Sequence, residues 1–144
     1  MLRIERTEGL AIWVFDRPHR RNALDWATME AFAKAVQEAA GDPRLRVVIL
    51  TGAAGAFLSG ADLYEMSAYR SEADGRRLAT LMGEALRRLE EAPWISIAAI
   101  NGPARGGGVE VALACDLRVM AEDADLAFVQ ITWALTPGWG GGQR

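Results

Sequence analysis

The chain has 144 residues, 51% of them apolar, and a formal net charge of −3, which suits one domain, spanning residues 1–144, with a real core. That charge balance gives no reason to expect nucleic acid or an anionic membrane as partner. Cys115 is the only cysteine, so an internal disulfide and a Cys-rich metal site are excluded. No apolar run reaches membrane-spanning length. The start, Met1 to Arg6, alternates charge and apolarity and lacks the unbroken apolar region of a signal peptide. A soluble, cytoplasmic protein is the expectation.

Leu2 to Arg6 alternates as an edge strand would. Glu8-Gly9 turns the chain into the apolar, β-branched run Leu10 to Phe15, which predicts a hairpin. Asp16-Arg17-Pro18 opens a polar loop through Arg21 and Asn22. Asp25 is a candidate cap for a helix carrying Met29, Phe32, Val36 and Ala40 at helical spacing, stopped by Gly41-Asp42-Pro43. Val47 to Thr51 is continuously apolar until its threonine and predicts a strand buried on both faces. A Gly/Ala-rich loop follows to Gly60, and Asp62 begins a short helical turn. Glu72 to Glu91 is amphipathic, with Leu78, Leu81, Met82, Ala85, Leu86 and Leu89 on one side, and Pro93 ends it. Ile95 to Ile100 predicts another buried strand, Val109 to Ala114 a helix, and Leu117 to Met120 and Leu126 to Phe128 two more strands.

Helices between buried, parallel-type strands mean an α/β fold. Ligands in such folds sit at the C-terminal ends of strands. Two strand-to-helix loops lie there: Ala56 to Asp62, and Asn101 to Glu110. Free backbone N–H groups at helix starts can face an anion or a polarised carbonyl, and glycine lets a ligand approach. Two converging N–H groups would make an oxyanion hole. Gly106-Gly107-Gly108 alone is equally compatible with tight helix–strand packing. The pattern Gly-x-Gly-x-x-Gly is missing after the first strand, which argues against a dinucleotide-binding domain.

Together the motifs resemble the enoyl-CoA hydratase/isomerase (crotonase) family. They are Asp16-Arg17-Pro18 with Asn22-Ala23-Leu24, Val48 to Gly52, Phe57 to Leu63, Ala99 to Gly102, Gly106 to Asp116, and Pro137 to Arg144. The resemblance implies a spiral of ββα units, assembled as a trimer or a dimer of trimers. It also implies a helical C-terminal region missing from this chain, whose glycine-rich end should otherwise lead into a helix. An acyl-CoA thioester is the implied substrate, with no metal or other cofactor. The implied oxyanion hole is the backbone N–H of Ala61 and Gly107. Ala61, Asp62, Leu63 and Tyr64, with Ser59 and Gly106, would line the substrate site, and the loop from Arg21 through Ala23 and Leu24 would lie near the CoA moiety.

Glu110 matches the first of two catalytic glutamates in the family's hydratases, and Gln130 falls where the second stands. A glutamine holds a water or a carbonyl but does not exchange a proton near neutral pH. Hydration or isomerisation of an enoyl-CoA is the leading expectation. Decarboxylation, thioester hydrolysis and a non-catalytic acyl-CoA-binding or assembly role stay open. His19 is expected to be solvated. Arg17, Arg20, Arg21, Arg76 and Arg77 would meet CoA phosphates or form a solvated face. Cys115 and Asp116 are expected to be structural. Trp133 and Trp139 would close the acyl pocket or pack in the core.

Overall fold

The computed structural model describes residues 1–69 and 71–144. Strands β1 (Leu2–Thr7) and β2 (Leu10–Phe15) form the expected hairpin. Helix α1 (Trp26–Ala40) starts where Asp25 accepts a hydrogen bond from the Thr28 amide, so the candidate cap acts as one. Then come β3 (Val47–Gly52), the short α2 (Leu63–Met66), α3 (Glu72–Glu90), β4 (Ile95–Ile100), β5 (Ala104–Arg105), α4 (Gly107–Leu113), β6 (Leu117–Met120) and β7 (Leu126–Ala127). Asp62 caps α2 through the Tyr64 amide, and Ser71 with Asp74 forms a reciprocal capping box on α3.

The main sheet has the order β1-β2-β3-β4-β6. Only the β1–β2 pair is antiparallel; every later pair is parallel, and a helix spans each crossover. A second, shorter ladder runs beside it. It consists of the bridges Leu24↔Ala61 and Leu58↔Ala104, continued by β5 paired with β7. Each winding therefore supplies a long strand, a short extended segment and a helix. This is the expected ββα repeat of the crotonase fold.

The core lies between the main sheet and the helices. Trp13 meets Phe32 and Trp94 edge to face, with centroids 6.1 and 5.9 Å apart, and Phe15 tilts against Phe32. Burying such a side chain stabilises by about 1.5–3 kcal/mol. Leu86 and Leu89 of α3 join the same cluster, while Leu78 and Leu81 sit at its margin.

Three expectations need correction. β3 and β4 are not buried equally on both faces. Val48, Leu50, Ala98 and Ile100 are fully buried in the core cluster, but Val47, Ile49, Ile97 and Ala99 on the opposite face are only half covered. Helix α4 starts at Gly107, two residues before the predicted Val109, because Gly106 (φ +53°) turns the chain earlier. Strand β5 and 3-10 turns at Pro18–Arg20 and Gln130–Trp133 were not expected; each is too short to show a period. Among the described residues no helix is long and apolar enough to cross a membrane.

Candidate active site

The two glycine-rich loops are fastened together by backbone hydrogen bonds. The Phe57 amide donates to Pro103 O at 3.1 Å and the Arg105 amide to Leu58 O at 2.8 Å. Gly60, at φ +84°, lies so close to the second loop that a Cβ there would stand 2.9 Å from Gly107 N. Any other residue at that position meets both backbone strain and this contact. On its other side the first loop is pinned to Leu24. Leu24 donates to Gly60 O at 2.8 Å, and Asp62 donates to Leu24 O at 2.9 Å.

The first of these bonds decides where the Ala61 amide points, and the second fixes the peptide after it. The carbonyl and the N–H of one trans peptide face opposite ways. With Gly60 O turned to Leu24, the Ala61 N–H faces the Gly106–Gly107 side. Gly107 is the first residue of α4, where an amide has no intrahelical acceptor. Among the described residues neither amide donates to a protein acceptor.

Glu110 lies one turn into α4 and is 1% exposed. A carboxylate so deep is costly unless every oxygen is bonded. Here all its neighbours donate: the Trp139 and Gly141 amides to Oε2, each at 2.8 Å, and Gln130 Nε2 to Oε1 at 3.2 Å. The Gln130 amide is thereby oriented, since its carbonyl would otherwise face a carboxylate oxygen. Gln130 Oε1 is left buried without a protein partner among the described residues.

Glu110 and Gln130 share the wall of a cavity of about 440 Å³ with Ser59, Ala61, Leu63, Gly106 and Gly107. Both tryptophans reach it too: Trp133 from a largely exposed position and Trp139 from a buried one. The remaining surface is mostly apolar, including Met66, Leu78, Val129 and Leu135. Five expected site residues lie outside this lining. Ala23 and Leu24 have their side chains buried in the protein. Asp62 faces Arg17 instead. Arg21 and Tyr64 are exposed on the outer surface, and Arg20 stands 5.9 Å over the Tyr64 ring.

The enoyl-CoA hydratase/isomerase model matches residues 5–144. The chain belongs to the enoyl-CoA hydratase/isomerase family. It is 39% identical over 137 residues to the ethylmalonyl-CoA decarboxylase of Danio rerio, covering 94% of this chain and 45% of that protein. It is 36% identical over 142 residues to the short-chain-enoyl-CoA hydratase of Clostridium acetobutylicum, with 98% and 54% covered. The crystal structure of an enoyl-CoA hydratase from Bacillus anthracis superposes with a TM-score of 0.92 at 36% identity, over 99% of this chain and 55% of that one. The chain thus spans about half the length of these relatives.

Within this family member, several motif residues turn out to be brackets. Asn22, buried at φ +57°, accepts from the Arg17 amide and donates to Ala53 O and Ala56 O, tying its loop to the loop after β3. Asn101 does the same between β3 and β4, exchanging hydrogen bonds with both the amide and the carbonyl of Gly52. Asp116 accepts from the amide and hydroxyl of Ser96, each at 2.7 Å, so both are structural. Burial pushes the Cys115 thiol up to about 12, an inert core position. His19 is exposed, as expected.

Arg17 departs from both readings offered for it. It neither reaches into solvent nor stands free for a phosphate, but binds Asp62, Asp25 and Ala23 O. Arg77 lies 4.1 Å over the Trp26 ring and Arg76 pairs with Glu72 on the outside of α3. The carboxylate-holding amides of Trp139 and Gly141 were missed. Their signal was the run Gly140-Gly141-Gly142, since a Cβ on Gly141 would run into the Glu110 side chain.

Proposed function

We propose that the protein acts on an enoyl-CoA thioester, hydrating it or shifting its double bond. The amides of Ala61 and Gly107 would bind the thioester oxygen, and Glu110 would move the proton. The observation that carries this reading is one buried carboxylate, held only by donors, on the same cavity wall as two unengaged backbone amides on facing loops.

In hydration Glu110 takes a proton from water as its oxygen bonds to the β-carbon. The electron pair of the double bond moves to the thioester oxygen, where two N–H donors stabilise it. The enolate collapses as the protonated Glu110 gives its proton to the α-carbon, which restores the carboxylate. Gln130 orients the water or the carboxylate but exchanges no proton. In isomerisation the same carboxylate removes a proton at one carbon and returns it at another. Neither course calls for a cofactor, because the thioester itself takes up the charge.

A second reading has its own support. The amide at Gln130 and the likeness to an ethylmalonyl-CoA decarboxylase favour decarboxylation. There the bond from the α-carbon to a carboxylate breaks, CO2 leaves, and the electron pair passes to the same thioester oxygen before the α-carbon is protonated.

Glu110→Gln tests the assignment. It keeps the shape and removes the proton carrier, so turnover of a short enoyl-CoA should fall about 100- to 10,000-fold. Unchanged turnover in a folded variant would remove the carboxylate from the mechanism. If the unaltered protein binds acyl-CoA without turning over either an enoyl-CoA or a malonyl-type thioester, it is a binding member of the family.

A further inference from the structure

Arg17 lies far in sequence from either site loop, yet its guanidinium is only 17% exposed and touches the segments that aim the Ala61 amide. Nη1 and Nη2 each donate to Asp62 Oδ2 at 3.1 Å. Nη1 also donates to Ala23 O at 2.7 Å, and Nε stands 3.4 Å from Asp25 Oδ2. Asp62 is 7% exposed and spends its second oxygen on the Tyr64 amide at 3.0 Å. One planar cation therefore ties the residue just before Leu24 to the residue just after Ala61. Between these ties lie the bond by which the Leu24 amide holds the Gly60–Ala61 peptide and the bond by which the Asp62 amide holds the next peptide to Leu24 O.

We propose that Arg17 and Asp62 are positioning residues that fix the direction of the Ala61 N–H, and so the polarisation of a bound thioester carbonyl. The proposal rests on the reading of Ala61 as an oxyanion donor. Its physical basis is rigidity. A peptide plane held by one hydrogen bond, with its neighbour held by another, is free to tilt, whereas a guanidinium fork engaging both flanking segments restrains it. The length of the lysine side chain is similar, but it carries a point charge and no fork. Beyond capping α2 through the Tyr64 amide, Asp62 has Arg17 as its partner, and neither residue lines the cavity.

The test uses Asp62→Asn, which still caps α2 but weakens the pair with Arg17, and Arg17→Lys, which keeps the charge and loses the fork. The probe is a four-carbon enoyl-CoA carrying ¹³C at the thioester carbonyl. Its bound resonance should move downfield in the unaltered protein, and both variants should lose at least about half of that shift, since a donor displaced by about 1 Å loses much of its effect. Turnover should fall about 10- to 100-fold, with KM changed less than about threefold, because the donor acts mainly in the transition state.

A full downfield shift and normal turnover in both folded variants would overturn the proposal and leave the site reading intact. No downfield shift in the unaltered protein would overturn the oxyanion reading itself, and the proposal with it. Should Asp62→Asn fail to fold by circular dichroism, Arg17→Lys decides.

Discussion

At the scale of single residues, Gln130 carries the most information. Its Nε2 lies 3.2 Å from Glu110 Oε1. Replacing it by glutamate would set two carboxyl groups at hydrogen-bonding distance in a buried site. Two like charges there cannot both ionise freely, so the pair must share a proton and titrate as a unit. Gln130→Glu should therefore raise hydration of a short enoyl-CoA and add a second limb to the pH–rate profile. A rise in rate without the new limb would mean that the glutamate acts through packing. No rise at all would favour decarboxylation as the reaction served by the amide. The pairing of residues 110 and 130 was expected from resemblance, but their direct contact and the unpartnered Oε1 were not.

At the scale of an element, α1 depends on its cap. Burial pushes the Asp25 carboxyl up, but hydrogen bonds from the Thr28 hydroxyl and amide and the charge of Arg17 outweigh this and hold it below the ordinary carboxylate value. A lowered pKa means that the folded chain favours the ionised form. Its stabilisation is present above the unfolded value of 3.8 and is lost as pH falls below it. Asp25→Ala should cost about 1 kcal/mol at neutral pH. Urea unfolding at pH 7 and at pH 3 checks this: the gap between variant and parent should shrink at the lower pH. A gap of equal size at both would show that Asp25 acts by packing alone. The cap was legible in the sequence because capping is local: Asp25 and Thr28 are three residues apart. The amide of Trp26 is satisfied differently, by Glu65 Oε2 of α2 at 2.7 Å. No local pattern announces a partner that distant.

At the scale of the whole molecule, the apolar surface is unevenly spread. β6 closes one edge of the main sheet, and Leu117, Val119 and Met120 on it are exposed. Phe128, Ile131, Trp133 and Leu135, a little further along, are exposed as well. An edge strand carrying this much uncovered apolar surface is a template for association. The 144-residue chain should sediment as a concentration-dependent mixture rather than as one monomeric species. Val119→Lys should shift that mixture toward monomer, because a lysine on an edge strand opposes pairing. A single monomeric boundary at all concentrations would count against this.

The residue pattern alone specified the alternation of strands and helices, the two glycine-rich loops at strand ends and the cap on α1. These depend on periodicity, turn chemistry and local capping, which are written within a few residues of one another. The folded chain alone brings Trp139 and Gly141 onto the Glu110 carboxylate, sets Gln130 against it and turns Arg17 inward to Asp62. Those contacts join residues 29, 31, 20 and 45 positions apart. They exist because the parallel register of β2, β3, β4 and β6 stacks successive loops at one end of the sheet, and because Leu24, Leu58 and Ala104 fasten those loops side by side. A linear pattern of residue types specifies which groups can accept or donate a hydrogen bond. Which of them meet is set by how the ladders close, and that is a property of the assembled sheet.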